Sequence, residues 1–171
     1  AANPCPCAKP QSRCTCRPAQ RQGYLSRLSG PLLDRVDINV TLQAITRREI
    51  QDDSGSAEST AVIAARVAEA RRRAARRFGG TPWRTNAQVP ATELVKHWPL
   101  TPQPLALVGA AMDRGLLTAR GFGRVQRLAW TLADLLGHDR PLVGDVELAL
   151  SLRLGDRWVP GGAAALGLVP A

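Results

Sequence analysis

The sequence predicts an α-rich α/β fold, in which a short N-terminal part carrying one or two strands precedes an all-helical part. Three observations carry this prediction. Ile38, Val40 and Leu42 alternate with polar residues at the period of a strand. Beyond residue 58, apolar residues recur three or four apart in successive stripes, each closed by Gly or Pro. Between the two regimes, residues 46–57 are polar and contain Asp52-Asp53-Ser54-Gly55-Ser56, the composition of an exposed linker.

In chain order, YLSRLSG over residues 24–30 reads as a helix, and Pro31, Leu32 and Leu33 anchor a turn. The pair Asp34-Arg35 follows, and Asp37 opens the strand. An arginine between an apolar helical end and an apolar strand is delivered to a surface. Its planar fork holds two oxygens and keeps its charge, which suits phosphate recognition. Pairing of Arg35 with Asp34 or Asp37 is the competing reading, and spacing alone does not separate the two.

Over residues 58–78, Ile63, Val67, Ala70, Ala74 and Phe78 form one helical stripe that Gly79-Gly80 ends. Arg66, Arg71, Arg72, Arg73, Arg76 and Arg77 fill most of the rest. Such a face can bind phosphate, with Arg71, Arg72 and Arg76 as candidate nucleic-acid contacts. It can equally be a solvated face on which Glu69 pairs with Arg73 at i,i+4. Further helices are predicted at 91–97, broken by WPLTPQP, and at 105–114, closed by Gly115. Between Thr118 and Leu136, Phe122, Val125, Ala129, Leu132, Ala133 and Leu136 make a core stripe, with Thr118 as N-cap and Gly137 as terminator. Arg120, Arg124 and Arg127 fall on another face of that helix, where they repel one another unless an anion or an acidic neighbour sits nearby. A last helix at 143–154 turns Val146, Leu150 and Leu154 inward, and residues 156–171 read as a frayed tail.

A chain of 171 residues holds one domain or two small ones, and 44% hydrophobic with 22% charged residues excludes disorder throughout. The net charge of +9 favours an anionic partner such as nucleic acid or nucleotide phosphate. All the basic residues except Lys9 and Lys96 are arginine, a bias that a GC-rich coding sequence also produces. No apolar run approaches the ~18–20 residues that span a bilayer. No secretory signal is visible, and the sole methionine is Met112. The expectation is a cytoplasmic piece of a longer protein, without a membrane partner.

Cys5-Pro-Cys7 and Cys14-Thr-Cys16 are two paired thiols that can converge on a tetrahedral Zn²⁺. Lys9, Arg13 and Arg17 favour the thiolate forms, and Pro4, Pro6, Pro10 and Pro18 stiffen the loop. The spacing is C-x-C where C-x-x-C is commoner. A surface loop of reduced thiols or adventitious disulfides is the alternative.

The strings AANPCPC, YLSRLSGPLLDRVDI and LLTARGFGRVQRLAWTLADLLG, in this order, resemble the second half of the magnesium-chelatase-like AAA+ ATPases, in the ComM (YifB) branch, over residues 1–154. The resemblance implies that residues 1–45 are the last part of an αβα nucleotide-binding core with a Cys-rich loop at 5–16. Residues 46–57 are then a linker and 58–155 a helical lid. It implies that Asn3 is sensor 1, orienting the water that attacks the γ-phosphate, and that Arg35 is an arginine finger reaching the ATP of a neighbouring subunit. Arg120, with Arg124 as second candidate, is implied as sensor 2. ATP and Mg²⁺ are the implied cofactors, a hexameric ring of identical copies the implied assembly, and DNA undergoing branch migration the implied partner.

The sequence also departs from the family pattern. It has neither GxxxxGK[ST] nor an apolar strand ending in Asp-Glu, so the chain alone is not expected to be a competent ATPase. Trp130 stands where the branch commonly has Arg. Two other functions stay open: a stand-alone, zinc-stabilised, basic helical DNA-binding module, and the ATPase subunit of magnesium chelatase itself. The wording of the motifs, closer to the ComM branch, disfavours the latter.

Overall fold

The structure, a computed structural model, describes residues 1–9, 13–42, 45–48, 58–155 and 158. Among these residues all regular structure is helical: α1 (Pro18–Leu25), α2 (Gly30–Leu33), α3 (Thr60–Arg77), α4 (Ala91–His97), α5 (Pro102–Asp113), α6 (Ala119–Leu136) and α7 (Val143–Leu154). A 3₁₀ turn at Asn86–Gln88 joins α3 to α4. None of these helices is long and apolar enough to cross a membrane.

Helix α6 is the centre, packing against α3, α4, α5 and α7. Its ends are those the sequence marks. The Thr118 hydroxyl accepts the Gly121 N–H at 3.0 Å, and Gly137 closes the helix at φ 85°, where only glycine is unstrained. One face buries Val125, Leu128 and Ala129 with Val108 and Ala111 of α5 and Val146, Ala149 and Leu150 of α7. The other sets Trp130 against Ala74, Phe78, Val89 and Leu94. Each fully buried side chain of the larger apolar kinds stabilises the fold by about 1.5–3 kcal/mol. Gly123 sits where α6 crosses the start of α4, and a Cβ there would lie 2.6 Å from that of Ala91. Only glycine permits that approach.

Buried polar groups join the second face. Arg77 forks onto Asp134 at 2.7 and 2.5 Å. Asn86 accepts from Arg77 at 2.9 Å and donates to Asp134 at 3.0 Å. The guanidinium lies 4.3 Å from the centre of the Trp130 ring. The indole N–H of Trp130 donates to the Trp98 carbonyl at 3.0 Å, so it is spent inside the core.

Several expectations are revised. The strand predicted to open at Asp37 and run through Leu42 is extended but pairs with no other strand among the described residues. Its alternation is real, yet Ile38, Val40 and Leu42 stand 47%, 64% and 87% exposed. A strand needs a neighbouring strand for its N–H and C=O groups, and here the segment meets helices instead. The Asn39 N–H donates to the Leu152 carbonyl of α7 at 2.7 Å. The single helix expected at 24–30 is instead the end of α1 and a separate α2, because Pro18 starts α1 earlier and Ser29 caps a new turn. In α3 only Ala70, Ala74 and the following Phe78 are buried, while Ile63 and Val67 are exposed. Most of the predicted linker, 49–57, lies outside the described residues, and so does the predicted tail except Trp158. Trp158 is buried in the α5–α7 core, with Arg114 5.9 Å from its ring centre.

Candidate functional site

The corner that bears Arg35 is built by a very short helix. Ser29 caps α2 by accepting the Leu32 N–H at 3.4 Å, and Gly30-Pro31 form its first turn. Four residues cannot hold a helix by themselves, and the carbonyls at its C-terminal end need external donors. Arg153 of α7 supplies them. Its guanidinium donates to the carbonyls of Leu33 at 3.4 Å and Asp34 at 2.7 Å, to the carbonyl of Val36, and to the Asp34 carboxylate at 2.8 Å. Arg153 is only 5% exposed, and burial pulls its pKa down while the Asp34 charge opposes that shift.

Asp34 is shared. Its carboxylate also accepts the Thr118 hydroxyl at 3.1 Å and Arg120 at 3.4 Å. Asp37 accepts from Arg124. The acidic neighbours that the α6 arginines require are therefore the two aspartates flanking Arg35, while Arg127 turns inward to the Val89 carbonyl at 2.9 Å. With its 58% exposed side chain, Arg120 makes a surface ion pair worth about 0–1 kcal/mol, so it is free to exchange partners. Arg35 is exposed, and its side chain has no partner among the described residues. The intramolecular pairing considered for it is not made. Asn3 is exposed at the base of the cysteine loop, and nothing in the described residues brings it to Arg35 or Arg120.

The four cysteines do converge. Their sulfurs all lie within 4.8 Å of one another, with Cys5 3.2 Å from Cys7 and 3.5 Å from Cys14, and Cys7 3.8 Å from Cys14. Tetrahedral zinc with ~2.3 Å bonds sets its sulfurs about 3.8 Å apart, so the loop fits a four-thiolate metal site. The Lys9 N–H, and then the Cys5 thiol, hydrogen-bond to the Cys7 sulfur and lower its pKa to about 6. Cys5 is pushed up to about 12, first by its hydrogen bond to Cys7 and then by desolvation. A bound cation would take the place of thiol protons.

On α3, Glu69 serves three arginines: Arg72 at 2.5 Å, Arg73 at 3.4 Å and Arg76 at 3.6 Å. The expected Glu69–Arg73 pair is present, within a larger cluster. Arg71 is exposed beside it. Sequence reasoning missed Arg153 and the shared role of Asp34. The available signal was a lone arginine in the apolar run LALSLRL, which must find acceptors wherever it is buried.

The helix-rich bundle, whose α6 and α7 arginines hold the corner that bears Arg35, is consistent with the all-helical lid of an AAA+ protein. Residues 57–153 match the family described as magnesium chelatase, subunit ChlI C-terminal, and residues 1–50 match magnesium chelatase, subunit ChlI. The chain belongs to this magnesium-chelatase-like family, and its relatives support the ComM/YifB branch. It is 43% identical over 155 residues to an uncharacterized protein of Mycobacterium tuberculosis, covering 90% of this chain and 30% of that one. It is 31% identical over 161 residues to the uncharacterized protein YifB of Escherichia coli, covering 92% and 30%. Similarity to the competence protein ComM of Haemophilus influenzae is 26% over 136 residues, covering 80% and 26%. The chain thus spans less than a third of the length of these relatives.

Proposed function

We propose that this chain is the C-terminal portion of an ATP-dependent AAA+ motor of the ComM/YifB type that acts on DNA in the cytoplasm. Residues 1–45 complete the nucleotide-binding core and 58–155 form its lid. Arg35 is the arginine finger, entering the ATP site of a neighbouring subunit in a hexameric ring. Asn3 is sensor 1 of the chain's own site, and Arg120, backed by Arg124, is sensor 2. ATP and Mg²⁺ bind in the remainder of the core, and Zn²⁺ joins Cys5, Cys7, Cys14 and Cys16.

The observation that carries this reading is the division of charge at the corner. Asp34 and Asp37 are engaged by arginines of α6 and α7, and Arg35 between them is left exposed without a partner among the described residues. Phosphoryl transfer needs positioned positive charge, and a guanidinium offered outward supplies it only when another protomer docks. Hydrolysis is then tied to ring assembly. DNA as the partner is supported by the net charge of +9, by the arginines of α3, including Arg71, Arg72 and Arg76, and by the name of the competence relative.

In the full-length protein, Arg35→Ala should lower kcat for ATP hydrolysis by about 10³-fold or more, the scale of a lost arginine finger, while ATP binding is kept. Hydrolysis at the wild-type rate would refute the assignment.

A further inference from the structure

We infer that Arg153 is the positioning residue for Arg35: the lid helix α7 of each protomer fixes the reach of the arginine that the protomer offers to its neighbour. The inference rests on the finger reading above and extends it to a residue far from any phosphate.

Three features of the geometry support it. Arg153 donates to main-chain carbonyls on both sides of Arg35, those of Leu33 and Asp34 before it and of Val36 after it. The peptide units flanking Arg35 are therefore tied to α7. The fork on the Asp34 carboxylate adds a charged bond to the same guanidinium. Next, the tie is dry: Arg153 is 5% exposed, so water does not readily take over its acceptors. Finally, the corner has little else to hold it. Helix α2 is four residues long and buries none of them, and the extended segment that follows is pinned to α7 at Asn39, through Leu152 and Arg153. The Arg153 guanidinium is engaged by Leu33, Asp34 and Val36 of its own chain. It acts through the backbone that carries Arg35.

The Asp34 carboxylate also accepts Arg120, the lid arginine assigned to the protomer's own nucleotide. One carboxylate thus joins the group that senses the protomer's own site to the group that holds the finger for the next site. A change of lid position at one site reaches the neighbouring site through this carboxylate.

The test uses the full-length protein and three variants. Arg153→Lys keeps the charge but cannot span three carbonyls and a carboxylate. It should lower kcat by about 10²-fold, the scale of a misplaced catalytic group, with KM for ATP unchanged. Placed in an Arg35→Ala background, it should cause no further loss, because it acts through Arg35. Asp34→Asn removes the charge but keeps a side-chain oxygen that can accept from Arg153. It should give a smaller kcat loss that likewise vanishes in the Arg35→Ala background, and it decides the matter if Arg153→Lys does not fold. Wild-type kcat in both variants, or losses that multiply with that of Arg35→Ala, would overturn the positioning role. Wild-type hydrolysis by Arg35→Ala alone would instead strike the finger reading, which distinguishes the two failures.

Discussion

The Asp34 carboxylate takes a 2.8 Å hydrogen bond from Arg153, 119 positions away in sequence, and none from Arg35 beside it. A neighbouring acid and base in a sequence invite a local ion pair. Here the acid is drawn to a buried arginine that has few other partners for its charge. The adjacent arginine is released to the surface as a result. The same trade recurs at Asp37 with Arg124.

The stability of the lid should depend most on the Arg77–Asp134 pair. Asp134→Ala leaves a nearly buried guanidinium facing only Asn86 and aromatic rings, and should cost about 3–5 kcal/mol. Denaturant unfolding measures it.

Gly123 offers a second stability test. A methyl group there meets the Ala91 Cβ at 2.6 Å, so Gly123→Ala should destabilise by about 1–3 kcal/mol through overpacking. A compensating Ala91→Gly in the same chain should recover much of that loss in thermal unfolding.

Under reducing conditions the chain should bind one Zn²⁺, read by metal analysis after gel filtration, and Cys14→Ser should weaken it. Affinity should fall as pH falls, because the Cys5 thiol, pushed up to about 12, must lose its proton to the metal. Binding at neutral pH that Cys14→Ser leaves untouched would remove the site.

Glu69 carries a pH signature. Its hydrogen bond from Arg72, reinforced by the charges of Arg72, Arg73 and Arg76, holds its carboxyl below the ordinary value of 4.5. A carboxylate with a lowered folded pKa contributes stability above its unfolded pKa, and the contribution disappears as pH falls through the folded value. The melting-temperature gap between wild type and Glu69→Gln should therefore be open at neutral pH and close in acid. The effect should be small, since the cluster is solvent-screened.

Much of the lid was legible because helix signals are local. Thr118, Gly137 and the stripes at 91–97, 118–136 and 143–154 mark helices that the structure contains. The predicted strand forms no ladder among the described residues for a non-local reason: alternation in Ile38, Val40 and Leu42 specifies a face, but pairing requires a partner strand that these residues do not supply. At the candidate site, residue type marked Arg35 and the four cysteines as candidates but left open whether Arg35 pairs locally and whether the thiols converge. Asp34 as a shared acceptor was not legible, because Arg120 and Arg153 reach it only after α6 and α7 have packed.

Ownership of the finger is the central claim, and complementation between protomers tests it most directly. On the proposed reading, full-length Arg35→Ala protein retains a pocket and lacks a finger, and a variant inactivated in its own nucleotide site retains Arg35 and lacks a pocket. Mixed together, the two inactive proteins should regain ATP hydrolysis, because an intact pocket can then adjoin an intact Arg35. Mixtures as inactive as their components would contradict the account.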